Sequence, residues 1–329
     1  MRIPSLCGAA AVALALFAAP IAAGAEEAQP EDLVNALNGV FGAHAGKRAA
    51  HTKGICLKGN FTPTAEAPSL TKARQFAGPV PVVARFSLGG GNPAASDAQK
   101  DNVRGLAIHF DLGNGDTTDL LGISAPMFVA KTPEQFVELL KAVAPGPDGK
   151  QDADKITAYF KANPNSTHQA AWLNGRPIPA SYATADYYGV HAFTLTNAKG
   201  DKQVIKWKFV PVKSEPGLTD DEAKGKGDDF YAGELKDRLA KGPAQFDLNA
   251  ILGEPGDIED DPSTDWPEGR KEVKMGTLSI SAEEPDATCD AGIFDPNNLA
   301  DGVEAPKNDK ILPMRSLDYA VSFGRRQTN

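Results

Sequence analysis

The 329 residues carry 34 lysines and arginines against 43 aspartates and glutamates, a formal charge of −9. That balance opposes polyanions and excludes nucleic acid and anionic membrane surfaces as partners. Residues 1–25 combine a basic start at Arg2, an apolar run from Gly8 to Ala19 and small residues at Ala23-Gly24-Ala25. The run is shorter than the roughly 20 apolar residues that cross a bilayer, so it reads as a cleavable secretory signal. A periplasmic or secreted mature chain, residues 26–329, is expected to fold as a single α+β domain.

In chain order, Leu33, Ala36, Leu37, Val40 and Phe41 recur at helical spacing behind Asp32, a good N-cap residue. Arg48-Ala49-Ala50-His51-Thr52-Lys53-Gly54 leads into a strand. From Val83 the period becomes two, with Val83, Arg85 and Ser87 alternating with Ala84, Phe86 and Leu88. Residues 107–112 read as another strand. Thr132-Pro133-Glu134-Gln135 is a capping box ahead of the helical stripe Phe136, Leu139, Leu140 and Val143.

Residues 191–196 and 204–210 form a hairpin about Asn197 to Gly200, with Ile205, Trp207 and Phe209 on one face and Lys206 and Lys208 on the other. Residues 274–281 are a late strand, and residues 315–326 are helical in pattern. Antiparallel strands among helices argue against a doubly wound nucleotide-binding fold. Gly89-Gly90-Gly91 lacks the spacing of a phosphate-binding loop. The acidic runs Asp220-Asp221-Glu222 and Asp257-Ile258-Glu259-Asp260-Asp261 read as solvated loops and helix starts. Cys7 leaves with the signal, and Cys56 and Cys289 are either a bridge or two buried thiols.

The last helix is the most informative segment. Arg315, Tyr319 and Arg326 lie on one stripe. A tyrosine flanked by guanidinium groups favours phenolate, a hard anionic ligand suited to ferric iron, although such a stripe is also what a solvated helix face looks like. Arg85 and Ser87 share a face that reads as core-directed, and an inward arginine needs an anionic ligand group or a structural carboxylate. His51 alone is compatible with a packed, a surface or a catalytic role. His44, His109 and His168 have no neighbours that single them out.

Taken together and in order, these segments resemble the haem catalases. Arg48-x-x-His51-x-Lys53-Gly54 resembles the family's distal histidine segment. Val83-Ala-Arg85-Phe86-Ser87 resembles the following strand, in which an arginine holds a haem propionate and a serine bonds the distal histidine. Val103-Arg104-Gly105-Leu106-Ala107, Asp119 to Phe128 and Tyr188-Gly189-Val190-His191-Ala192-Phe193 are similar to further family segments. Arg315-x-x-x-Tyr319 matches the proximal tyrosinate and its arginine, and Arg326 a second propionate arginine.

The resemblance implies an antiparallel β-barrel of the haem catalase type with surrounding helices. It implies non-covalent ferric haem b, and no Cys-x-x-Cys-His run exists for covalent attachment. Tyr319 would ligate the iron and His51 would act as base and then acid on peroxide. Arg48, Arg85, Ser87, Phe128, Phe136, Arg315 and Arg326 would surround the cofactor. The expected activity is reduction of hydrogen peroxide or a small organic peroxide by an organic electron donor, with weak catalase activity. Isomerisation or dehydration of fatty-acid hydroperoxides on the same scaffold, or haem carriage without turnover, are the alternatives.

Two departures from the family pattern bear on this expectation. Ile123, followed by Ser124, stands where the family places a distal asparagine. The long N-terminal arm and the C-terminal helical region of larger members have no counterpart here, so the chain is similar to the short catalase-related peroxidases. No bound nicotinamide nucleotide is expected.

Overall fold

The computed structural model describes residues 27–328, so the expected signal segment lies outside the described residues. Eight antiparallel strands close into a barrel: β1 (Gly54–Pro63), β2 (Val80–Leu88), β3 (Arg104–Asp111), β4 (Thr117–Ile123), β5 (Tyr187–Thr196), β6 (Lys202–Pro211), β7 (Ala244–Leu252) and β8 (Glu272–Glu283). Their order is β4-β3-β2-β1-β8-β7-β6-β5, and β4 meets β5 again through the pair Ile123 and Tyr188. A two-residue strand, β9 (Val303–Glu304), pairs with Leu195 and Thr194 of β5.

Period-two alternation sends one set of side chains into the barrel. Phe61, Phe86, Phe110, Tyr187, Trp207, Phe209 and Phe246 are all essentially inaccessible and fill it. Eight strands leave an interior just wide enough for such filling, so the barrel itself has no room for a cofactor. Phe61 meets Phe76 and Phe110 edge-on at 5.7 and 5.5 Å between ring centres. The hairpin β5–β6 has the expected faces, and Gly200 takes φ 89° in its turn.

Among the described residues eight α-helices pack outside: α1 (Pro30–Phe41), α2 (Pro133–Val143), α3 (Ala153–Ala162), α4 (His168–Asn174), α5 (Asp220–Gly225), α6 (Phe230–Leu239), α7 (Asp286–Asp290) and α8 (Ile311–Thr328). The first helix begins three residues before the expected point. Pro30, whose φ is preset and whose missing N–H costs nothing at a helix start, makes Gln29 the cap. Asp32 accepts from the Gln29 backbone N–H at 3.0 Å as the third helical residue. Thr132 caps α2 as expected, accepting from Gln135 N at 3.2 Å, while the Gln135 side chain reaches Lys131 N rather than closing the box on Thr132.

The outer face of β2 corrects one sequence expectation. Phe86 points into the barrel core, and Arg85 and Ser87 point outward, yet both are buried. Helices cover the outside of this part of the barrel, so burial does not distinguish its two faces. Cys56 of β1 and Cys289 of α7 form a disulfide that spans 233 residues of chain, resolving the alternative left open above. It clamps α7 to the barrel wall beside Arg85.

Candidate active site

A cavity lies between the outer barrel face and helices α1 and α8, with about 930 Å³ of empty space, the mouth included. Barrel residues Arg85, Ser87, Gly105, Ala107, Leu121, Ile123, Tyr188 and Val190 form one wall. Opposite stand Arg315, Asp318, Tyr319, Ser322, Phe323 and Arg326 of α8, with Val34 and Leu37 of α1 and the loop residues Arg48 to His51. Ser322 Oγ accepts from Ala49 N at 3.0 Å, tying α8 to that loop across the site.

His51 takes φ 54°, in the left-handed region that a histidine seldom occupies. Two contacts hold it there: its carbonyl accepts from Arg85 Nη1 at 2.8 Å, and its ring Nδ1 shares a hydrogen bond with Ser87 Oγ at 2.9 Å. Gly105, on the neighbouring strand, is required by this pair. A Cβ there would stand 2.7 Å from Ser87 Oγ and 2.9 Å from His51 Nδ1. Burial, reinforced by the charges of Arg85, Arg315 and Arg48, pulls the His51 pKa down to about 3. The imidazole is therefore neutral across the physiological range and available as a base.

Three guanidinium groups gather at one end. Arg48 donates to Cys289 O at 2.6 Å and pairs with Asp290. Arg326 donates to Gly292 O at 2.7 Å and to Asp290 O at 3.1 Å, and its Nε is buried without a partner. Arg85 is satisfied by backbone oxygens, with Thr52 O at 3.1 Å besides His51 O, and has no carboxylate partner among the described residues. Burial, then the charge of Arg48, lowers both Arg85 and Arg326 to about 10. One carboxylate, Asp290, thus serves Arg48 and Arg326, and the cluster is suited to bind further carboxylates.

On α8 the Tyr319 hydroxyl accepts from Arg315 Nε at 3.1 Å and Nη2 at 2.7 Å. The residues the sequence singled out as Arg48, His51, Arg85, Ser87, Arg315, Tyr319 and Arg326 thus line one cavity. Phe128 and Phe136 do not. They pack on each other, ring centres 5.0 Å apart, and Phe136 joins Leu33, Val137 and Met314 in a cluster between α1, α2 and α8. The α2 stripe that carries Phe136 is used for helix packing.

Two residues, Asp309 and Asp318, escaped the sequence reading. Asp309 bridges the barrel to the start of α8: one oxygen pairs with His191 Nδ1 on β5, and the other accepts from Ile311 N and Leu312 N at 2.8 and 3.0 Å. Burial keeps the His191 pKa below its ordinary value in spite of that partner. Asp318 is buried beside Tyr319 with Oδ1 unpartnered, and burial pushes its pKa up to about 7.

A family model described as Catalase matches residues 43–328. The chain is 40% identical over 301 residues to a catalase-related peroxidase of Synechococcus elongatus, covering 90% of this chain and 88% of that one. It is 37% identical over 303 residues to a catalase-related peroxidase of Mycolicibacterium paratuberculosis, covering 90% and 94%. Among solved structures, catalase A from Saccharomyces cerevisiae superposes with a TM-score of 0.76 at 21% identity, over 86% of this chain and 62% of that one. A fungal catalase gives the same TM-score and identity over 87% and 60%. At that identity the structural likeness speaks to the barrel alone, and the chain spans under two thirds of the length of these solved catalases.

Proposed function

This chain belongs to the catalase family and is an oxidoreductase that acts on peroxide, and we propose that it reduces peroxide as a haem b peroxidase supplied with electrons by an organic donor. The observation that carries the reading is that one cavity holds both a neutral His51 bonded to Ser87 and a Tyr319 hydroxyl bonded to Arg315. The donor set fits haem. Arg48, Arg85 and Arg326 suit its propionates, the unpartnered Arg326 Nε supplies a free donor, and the Tyr319 oxygen suits ferric iron. Bound there, haem would supply the iron centre that takes up peroxide and retains its two oxidising equivalents.

The chain's own residues then manage the protons. With Nδ1–H donating to Ser87 Oγ, His51 presents the lone pair of Nε2 to the cavity. It accepts a proton from one peroxide oxygen and returns it to the other, which leaves as water. Leu121, Ile123 and Val190 give the wall an apolar stretch without a donor or acceptor side chain. Ile123 lacks the amide that orients a second peroxide in the resembling family, a loss of roughly 0.5–1.5 kcal/mol for one hydrogen bond. That favours donor oxidation over dismutation. Export is part of the proposal: the apolar N-terminal run and the Cys56–Cys289 disulfide both support an oxidising compartment.

The test is an absorption spectrum of the haem-replete protein before and after peroxide, for wild type and Tyr319→Phe. The variant should lose iron ligation and most bound haem, and retention of the wild-type spectrum would refute the ligand assignment. Oxygen release against oxidation of an aromatic donor, on one preparation, decides the reaction. Fast dismutation with negligible donor oxidation would overturn the peroxidase assignment. N-terminal sequencing of the exported fraction should begin near Glu26.

A further inference from the structure

A route of aromatic rings leads from the cavity to the surface at a place the peroxide chemistry does not use. Tyr188 of β5 is part of the cavity wall, next to Ile123 across the β4–β5 junction. Its hydroxyl donates to Asp186 Oδ2 at 3.3 Å. Burial raises the Asp186 carboxyl above its ordinary range, which makes it a stronger proton acceptor than a surface carboxylate. The Tyr188 ring meets the edge of Trp172 on α4 at 5.9 Å between centres. Trp172 is seated on the small cluster of Ala125, Met127 and Leu173 and is partly exposed. The exposed Arg176 lies over its ring, 3.1 Å from the centre.

From this arrangement we propose that Trp172 is a second donor-oxidation site, linked to the cavity through Tyr188 and selective for anionic aromatic donors too large to enter the cavity. The inference rests on the peroxidase reading above. Rings in contact exchange an electron without an intervening group, so the route is complete from wall to solvent. Tyr188 gives one electron toward the cavity and passes its phenolic proton to Asp186. It regains the electron from Trp172 and the proton from Asp186. The Arg176 charge over the indole disfavours a cation there, so Trp172 releases its N–H proton to solvent with the electron. A donor at the surface then restores the electron, and solvent the proton. Two donor molecules supply the two electrons, and solvent the two protons, that convert one peroxide to two waters. On a chain of net charge −9, Arg176 is the local feature that attracts an anionic donor.

The experiment uses the haem-replete protein with two donors, hydroquinone as the small one and the bulky disulfonated dye ABTS. Trp172→Phe should lower kcat/KM for ABTS about tenfold or more while changing hydroquinone oxidation by less than about twofold, and Tyr188→Phe should lower the ABTS value to a similar extent. Arg176→Glu should raise KM for ABTS with little change in kcat, and leave hydroquinone untouched. Independently of turnover, peroxide treatment with a nitroso spin trap should give adducts on the tryptic peptides that carry Trp172 and Tyr188. Those adducts should vanish from the Trp172 peptide in Tyr188→Phe. Unchanged ABTS kinetics in Trp172→Phe, or no adduct at either residue while hydroquinone is still oxidised, overturns the second site. Failure of the wild type to oxidise either donor refutes the underlying peroxidase reading instead.

Discussion

Asp309 is the residue whose removal should be felt furthest from its own position. Asp309→Ala deletes two hydrogen bonds that cap the start of α8 and the partner of the buried His191. An N-terminal cap is worth about 0.5–2 kcal/mol. A hydrogen bond to a charged group adds about 1.5–3 kcal/mol. The same carboxylate makes both, so the effects overlap, and a loss of about 2–4 kcal/mol is expected out of a typical total of ~5–15 kcal/mol. Asp309→Asn keeps an oxygen for the helix N–H groups and should lose roughly half as much. Urea unfolding followed by tryptophan fluorescence measures this as a lower midpoint at unchanged slope. The α8 wall carries Arg315 and Tyr319, so haem retention should fall with stability in the same variants. A loss below about 0.5 kcal/mol in Asp309→Ala, or equal losses in the two variants, would refute the capping argument.

Other expectations follow from the same geometry. Because His51 is held neutral down to about pH 3, the rate of reaction with peroxide should stay flat from pH 7 to roughly pH 4, and an acid limb near the ordinary imidazole value of 6.5 would contradict its buried, neutral state. Gly105→Ala should cut that rate by about 10²-fold or more through the clash with Ser87 and His51, with little loss of haem, and stopped-flow rates near wild type would show that the pair tolerates a methyl group. Reducing the Cys56–Cys289 bridge, or replacing both residues by serine, should cost about 2–5 kcal/mol, read by calorimetry against the oxidised protein. His109 pairs with Asp119, and that hydrogen bond raises its pKa above 6.5. Its contribution is complete below pH 6.5 and fades as pH rises through the raised value, so His109→Asn should flatten the decline of stability on the alkaline side.

Strands and site residues differed in how far they could be read from the chain. β2 and β6 were legible because one face is apolar and period two is unmistakable where Phe86 alternates with Arg85, or Trp207 with Lys206. Which face was interior was not legible, since the outer face of β2 is covered by helices and holds Arg85 and Ser87 just as deeply. Helix α6 was missed because it fully buries only Tyr231 and Leu235, and its second half, Glu234 to Arg238, is charged apart from Leu235. His51, Tyr319 and the arginines were recoverable through order and spacing along the chain. Asp309, Asp318 and the Tyr188–Trp172 contact depend on where distant segments meet, and no local pattern carries that. The same is true of the disulfide, whose partners are 233 residues apart.

The arrangement of the cavity also sets a timetable for biosynthesis. One wall belongs to the barrel, whose last strand ends at Glu283, and the other needs α8 as far as Arg326. At ~5–20 residues per second, the ribosome takes roughly 2–9 s to pass from one to the other. A chain that stops soon after Glu283 has every barrel strand but a bare outer face, lacking the Ser322 tie to Ala49 and the Asp309 tie to His191. A product that terminates before Arg315 is a barrel without the α8 wall of the site. Quality control that sensed only the barrel would pass such a chain, whereas the α8 contacts report that the chain has been made as far as Arg326.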